Sequence, residues 1–140
     1  MTLTEATLTE ITRRLVATYQ PEQVVLFGSH AWGEPDANSD VDLLVVLSES
    51  DEPAYRRASA GYRSLFGLGV PCDVWVRTRE EVLREAPLST TLMHKIIREG
   101  RVLHGRASVL PGVGGRMAAK GQPRSRNGGE ISESIPGFSP

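Results

Sequence analysis

The chain has 140 residues, 16 Lys and Arg against 17 Asp and Glu, and a single cysteine. That length suits one hydrophobic core, and one thiol excludes an internal disulfide framework or a multi-cysteine metal site. No apolar run reaches the ~18 residues of a membrane span, no basic-then-apolar leader opens the chain, and no basic surplus marks a nucleic-acid footprint. A cytoplasmic protein that neither enters membranes nor binds nucleic acid directly is expected.

Charge is unevenly spread. Residues 1–104 carry 11 basic and 15 acidic side chains, whereas 105–140 carry 5 and 2. The second segment is rich in Gly and Pro and poor in groups to bury, so a folded domain over 1–104 and a disordered tail over 105–140 are expected.

In chain order, residues 2–19 read as an amphipathic helix with Leu8, Ile11 and Leu15 on one face. Thr2/Glu5 and Thr7/Glu10 have capping-box spacing, and Pro21 stops the helix. Val24 to Phe27 form a short buried strand, and residues 31–33 read as a helical turn. Pro35, Asp36, Asn38 and Ser39 are turn formers. Val41 to Leu47 make a second strand, apolar enough to be covered on both faces, and so the central one.

A helix is then expected over 50–66, with Ala54, Tyr55, Ala58, Tyr62, Leu65 and Phe66 at helical spacing and Gly67 and Gly69 ending it. Residues 70–77 form a third strand, with Asp73, Trp75 and Arg77 on one face and Val74 and Val76 on the other. Cys72 reads as a small buried hydrophobe. Thr78 and Glu81 form a capping box for a short helix ending before Pro87. A last helix over 89–99 carries Leu92, Met93, Ile96 and Ile97, and Val102 and Leu103 add an edge strand. The fold class is therefore α/β (α+β): a small mixed sheet with flanking helices.

The chemistry is concentrated in residues 27–47. Gly28 and Ser29 close one apolar strand, and Asp40 and Asp42 open the next. Strand residues two apart share a face, roughly 7 Å apart, so the two carboxylates converge while Val41 turns into the core. Asp73 brings a third carboxylate into the same sheet. Gathered carboxylates repel one another unless protons or a cation intervene, and oxygen ligands suit a hard cation such as Mg²⁺. Backbone N–H groups and the hydroxyl at Gly28 and Ser29 can meet phosphates.

Two other metal or phosphate motifs fail. Residues 36–47 imitate the start of an EF-hand loop, but Val41 stands where Gly is required and Leu47 where a bidentate Glu is required. No Gly-Lys-Ser/Thr follows any Gly-rich turn, which excludes a P-loop.

Gly28-Ser29, ten residues, then Asp40-Val41-Asp42 resembles the signature of the DNA polymerase beta nucleotidyltransferase superfamily. The minimal nucleotidyltransferases, similar to the core of kanamycin-type nucleotidyltransferases and often encoded beside a helical HEPN toxin as its antitoxin, match best. The likeness runs over about residues 5 to 104 and implies a polymerase beta-like fold. It assigns Asp40, Asp42 and Asp73 as catalytic metal ligands for two Mg²⁺ ions, with Asp73 as general base, and Gly28 and Ser29 as nucleotide-binding residues. It implies that AMP passes from ATP to a protein hydroxyl, with a tyrosine of the HEPN partner favoured. A non-catalytic antitoxin that acts by binding, and a transferase for a small-molecule hydroxyl, are the alternatives. His30 could meet a phosphate or face solvent. Arg77 is expected in a surface salt bridge, and Trp32 and Trp75 in packing.

Overall fold

The computed structural model describes residues 3–36 and 38–105. The tail expected to be disordered lies outside them, apart from Gly105. Four strands form one sheet: β1 (Gln23–Phe27), β2 (Val41–Leu47), β3 (Cys72–Thr78) and β4 (Arg101–His104). Their order is β3-β2-β1-β4. β1 is antiparallel to both β2 and β4, and β2 is parallel to β3, so the sheet is mixed as expected. β2 is interior, and its apolar run keeps the bounds read from the sequence.

Helices cover both faces. On one side α1 (Glu5–Tyr19) and the end of α3 (Ala54–Ser64) lie over a core of Leu8, Ile11, Leu15, Val41, Leu43, Val45 and Leu65. On the other, α4 (Arg79–Glu85) and α5 (Leu92–Glu99) bring Val82, Met93, Ile96 and Ile97 onto Phe27, Leu44 and Val46. Alternation along β2 thus feeds two cores, which is why none of its stretch from Leu43 to Val46 is polar. Among the described residues, no helix is long and apolar enough to cross a membrane.

Helix starts differ from the sequence reading where several hydroxyls compete. Thr4 caps α1, its side chain accepting the Thr7 N–H, while Thr7 itself lies inside the helix. Thr2, of the other expected box, is outside the described residues. α5 starts at Leu92 behind Thr91, not at Ser89. The Thr78/Glu81 capping box is present as expected.

The larger correction concerns α3. Tyr55, Tyr62 and Phe66, placed by periodicity on the apolar face, are 82 %, 45 % and 86 % exposed. The buried stripe is instead Arg57, Gly61 and Leu65, at spacings of four. Two polar contacts explain the rotation. Arg57 forms a bidentate pair with Glu81, at 2.6 and 3.2 Å, and Glu81 is the N3 residue of α4. The Tyr19 hydroxyl inserts into the α3 ladder, donating to the Arg57 carbonyl at 2.5 Å and accepting the Gly61 N–H at 2.8 Å. Gly61 permits this approach, because a Cβ there would sit 3.0 Å from the Tyr19 oxygen and 3.1 Å from Val74.

Candidate active site

The site grows from the turn after β1. Gly28 caps α2 (Ser29–Trp32) with φ 78° and ψ −157°, a backbone region closed to L side chains. Phe27 pairs with Asp42 in the sheet register, so the chain leaves β1 directly beside that carboxylate. A Cβ on Gly28 would lie 2.1 Å from Asp42 Oδ2. Glycine is needed twice over, by conformation and by contact. Ser29 follows as the first residue of α2, whose turn is closed by Ala31 and Trp32 N–H groups donating to the Gly28 carbonyl.

Asp40 is delivered by a second small device. The Asp36 carboxylate accepts the Asn38 N–H at 2.8 Å, and Ser39 Oγ accepts the Asp36 N–H at 3.0 Å, closing the turn into β2. Val41 is fully buried under α1, with Asp40 exposed before it and Asp42 half-buried after it. Across the parallel pair, Asp42 is the direct register partner of Asp73. Burial first, then Asp73 and Asp40, raise the Asp42 carboxyl above its ordinary value, and His30 pulls the other way. The same surroundings push the half-buried Cys72 thiol up to about 11, burial being the main cause, which disfavours the reactive thiolate.

Asp73 is held from two sides. Tyr62 Oη donates to its Oδ1 at 2.9 Å, and Trp75 Nε1 to its Oδ2 at 3.3 Å. Sequence reasoning missed both donors. Periodicity assigned Tyr62 to the core, although its spacing from Phe66 already allowed an outward stripe.

The remaining expected residues divide. His30 is half-buried with Nε2 3.3 Å from the Ser39 carbonyl, on the turn that carries Asp40. Trp32 and Trp75 both pack on Phe27, with ring centroids 6.4 and 5.4 Å away. Arg77 lies 5.2 Å over the Trp75 ring and donates to the Val76 carbonyl, in place of the expected salt bridge. Lys95 lies 4.7 Å over Trp32.

Among the described residues, no three His, Cys, Asp or Glu side chains close around a common metal-sized point in this arrangement. The donor set nonetheless fits a hard divalent cation. It is all carboxylate, it carries mutual repulsion that a cation would relieve, and it sits against a backbone cradle that a Cβ would fill.

The family profile described as Nucleotidyltransferase domain matches residues 8–104, which hold the whole sheet and all but the first residues of α1. No curated protein matches the sequence. Among solved structures, a chain from Sulfolobus solfataricus, provisionally named a nucleotidyltransferase, superposes with a TM-score of 0.52. It shares 20% identity, over 72% of this chain and 79% of that one, a likeness of fold. With the family profile matching more than half of its length and the fold in agreement, the chain belongs to the nucleotidyltransferase domain family, of the polymerase beta-like kind.

Proposed function

We propose that the protein transfers AMP from ATP to a hydroxyl of a partner protein, with Asp40, Asp42 and Asp73 holding the divalent cations. The observation that carries this reading is the register of Phe27, Asp42 and Asp73 on three adjacent strands. It sets a Gly-Ser turn and two carboxylates side by side on one end of a rigid sheet, with Asp40 immediately before β2.

Mg²⁺, two ions in the family's pattern, would supply charge neutralisation at the triphosphate and lower the acceptor hydroxyl's pKa. The chain's own groups account for the rest. The Gly28 turn lets backbone approach a phosphate without a side chain in the way, and Ser29 offers its hydroxyl there. Asp73 takes the acceptor proton as the hydroxyl oxygen bonds to the α-phosphorus. The bond from that phosphorus to the β-phosphate bridging oxygen breaks, and pyrophosphate leaves.

A protein acceptor is favoured by the surface beside Asp73. Tyr55, Tyr62 and Phe66 form one exposed stripe on and just after α3, flanked by exposed Arg56 and Arg63. Aromatic and arginine side chains grouped this way are typical of protein contact surfaces. Tyrosine on a HEPN-type toxin is the acceptor favoured, because its phenol stands at the end of a long rigid side chain. Adenylylation would then serve as the antitoxin step.

With α-labelled ATP and the co-encoded partner, label should appear on the partner and pyrophosphate should be released. γ-labelled ATP should leave the partner unlabelled. Asp40→Asn with Asp42→Asn should abolish both nucleotide binding and transfer; binding that survives the double substitution sinks the assignment. Suppression of a toxin without any transfer of label would leave the binding-only reading, and label on a small molecule alone would move the acceptor class.

A further inference from the structure

We infer that Tyr62 is a positioning residue for the metal site: its hydroxyl, with the Trp75 indole, holds the Asp73 carboxylate at the sheet edge beside Asp42. The inference rests on the reading of Asp40, Asp42 and Asp73 as a cation site and extends it to a residue outside the motif.

The geometry leaves the Tyr62 proton one place to go. β3 is an edge strand, and the Tyr62 side chain, carried by α3, meets its backbone with Oη accepting the Val74 N–H at 3.0 Å. A hydroxyl that accepts there turns its single proton to the remaining partner, Asp73 Oδ1, at 2.9 Å. Trp75 Nε1 donates to the other oxygen at 3.3 Å. One donor on each oxygen fixes the plane of the carboxylate, where a lone aspartate at a sheet edge would sample several rotamers. Each oxygen keeps acceptor capacity after taking one hydrogen bond, so both donors are compatible with ligation. Ligating carboxylates are commonly held by such partners, and losing one costs about 10- to 100-fold in metal affinity.

The position also looks outward. Tyr62 is 45 % exposed and stands between Tyr55 and Phe66 on the α3 stripe. Its ring belongs to the outer surface and its hydroxyl to Asp73. A partner covering the stripe would therefore touch the residue that orients the base.

The test uses Mn²⁺ alone, titrated into the full-length chain and followed by electron paramagnetic resonance. Tyr62→Phe keeps the ring, and thermal unfolding checks that the fold is unchanged. It should weaken Mn²⁺ binding by about 10-fold or more. In an Asp73→Asn background the same change should have no further effect, which a general structural role would not produce. Binding that is unchanged or tighter in Tyr62→Phe, or an equal loss in the Asp73→Asn background, overturns the positioning role while leaving the site intact. Full Mn²⁺ binding in Asp42→Asn overturns the site reading itself, and this inference with it.

Discussion

The two ends of β3 treat charge in opposite ways. At its start, Asp73 stands beside Asp42 with Asp40 close by, and the Asp42 carboxyl is raised by burial and by its neighbours. Just past its end, Glu81 is lowered to about 2, first by the hydrogen bonds from Arg57, with the Thr78 N–H and Arg57's charge adding to the effect. One end gathers like charges on neighbouring strands, at a cost to stability. The other pairs opposite charges across α3 and α4, which stabilises it. A sheet of four strands thus separates a cluster of like charges from a pair of opposite ones.

Removing the paired end should have the largest effect on stability. Arg57 is 6 % exposed, and Arg57→Ala leaves Glu81 without its partner and the α3–α4 contact unmade. A loss of about 3 kcal/mol is expected, the low end for breaking a buried pair because Glu81 is partly solvated. Urea unfolding measures it; a loss under ~1 kcal/mol would mean that packing alone fixes α3.

Gly28→Ala attacks the other end through geometry. Its Cβ would overlap Asp42 Oδ2, and its φ of 78° strains any L residue. About 2 kcal/mol of stability should be lost, together with nucleotide binding seen by calorimetry. Equal loss of binding in Gly67→Ala, where a Cβ meets nothing within 4 Å, would show that the effect is not local.

How much of this was legible in the sequence follows the same division. The Gly28–Asp42 corner lies within one motif and follows period-two strand geometry, so motif and strand were readable from residues 27–47, whereas Asp40 precedes β2 and the side-by-side pair is Asp42 with Asp73, a neighbour that only the sheet register supplies. The Thr78/Glu81 box was readable for the same reason. Arg57–Glu81 and Tyr62–Asp73 span 24 and 11 residues, and each depends on how α3 rolls against the sheet. Periodicity counted aromatic residues as core and arginine as surface. It therefore grouped Tyr55 and Tyr62 with Leu65 and passed over Arg57, whereas ion pairing and the inserted Tyr19 hydroxyl turn Arg57 inward and the tyrosines out. Strand order likewise depends on contacts that no local pattern encodes, though the parallel β2–β3 pair follows from the helix between them.

Acid should act on the two ends with opposite signs. Glu81's folded pKa lies below its ordinary 4.5, so its stabilisation is present above that value and is lost as pH falls toward about 2. Asp42's folded pKa lies above its ordinary 3.8, so the stability it contributes is present below that value and is lost as pH rises through the higher folded pKa. Stability curves from about pH 2 to pH 7 should accordingly lose their acid-side fall in Glu81→Gln and their rise-side loss in Asp42→Asn. Curves of the same shape in both variants would mean that neither group governs its end.

The smallest effect tests what the carboxylate end costs. In metal-free buffer the wild type holds Asp42 half-buried beside Asp73 and Asp40, which with burial disfavour its charged form, and only His30 opposes them. Asp42→Asn keeps the shape and the hydrogen-bonding capacity while removing one of the repelling charges. Solvent screens much of that repulsion, so a gain of only about 0.5 kcal/mol is expected, or roughly 2 to 4 °C in melting temperature for a domain of this size. Added Mg²⁺ should reverse the ranking, raising the wild type and leaving the variant where it was, because only the wild type offers the cation its full set of carboxylates. A variant that melts lower than wild type without metal would show that Asp42 makes a stabilising contact of its own, and that the carboxylate end, like the paired one, serves the structure first.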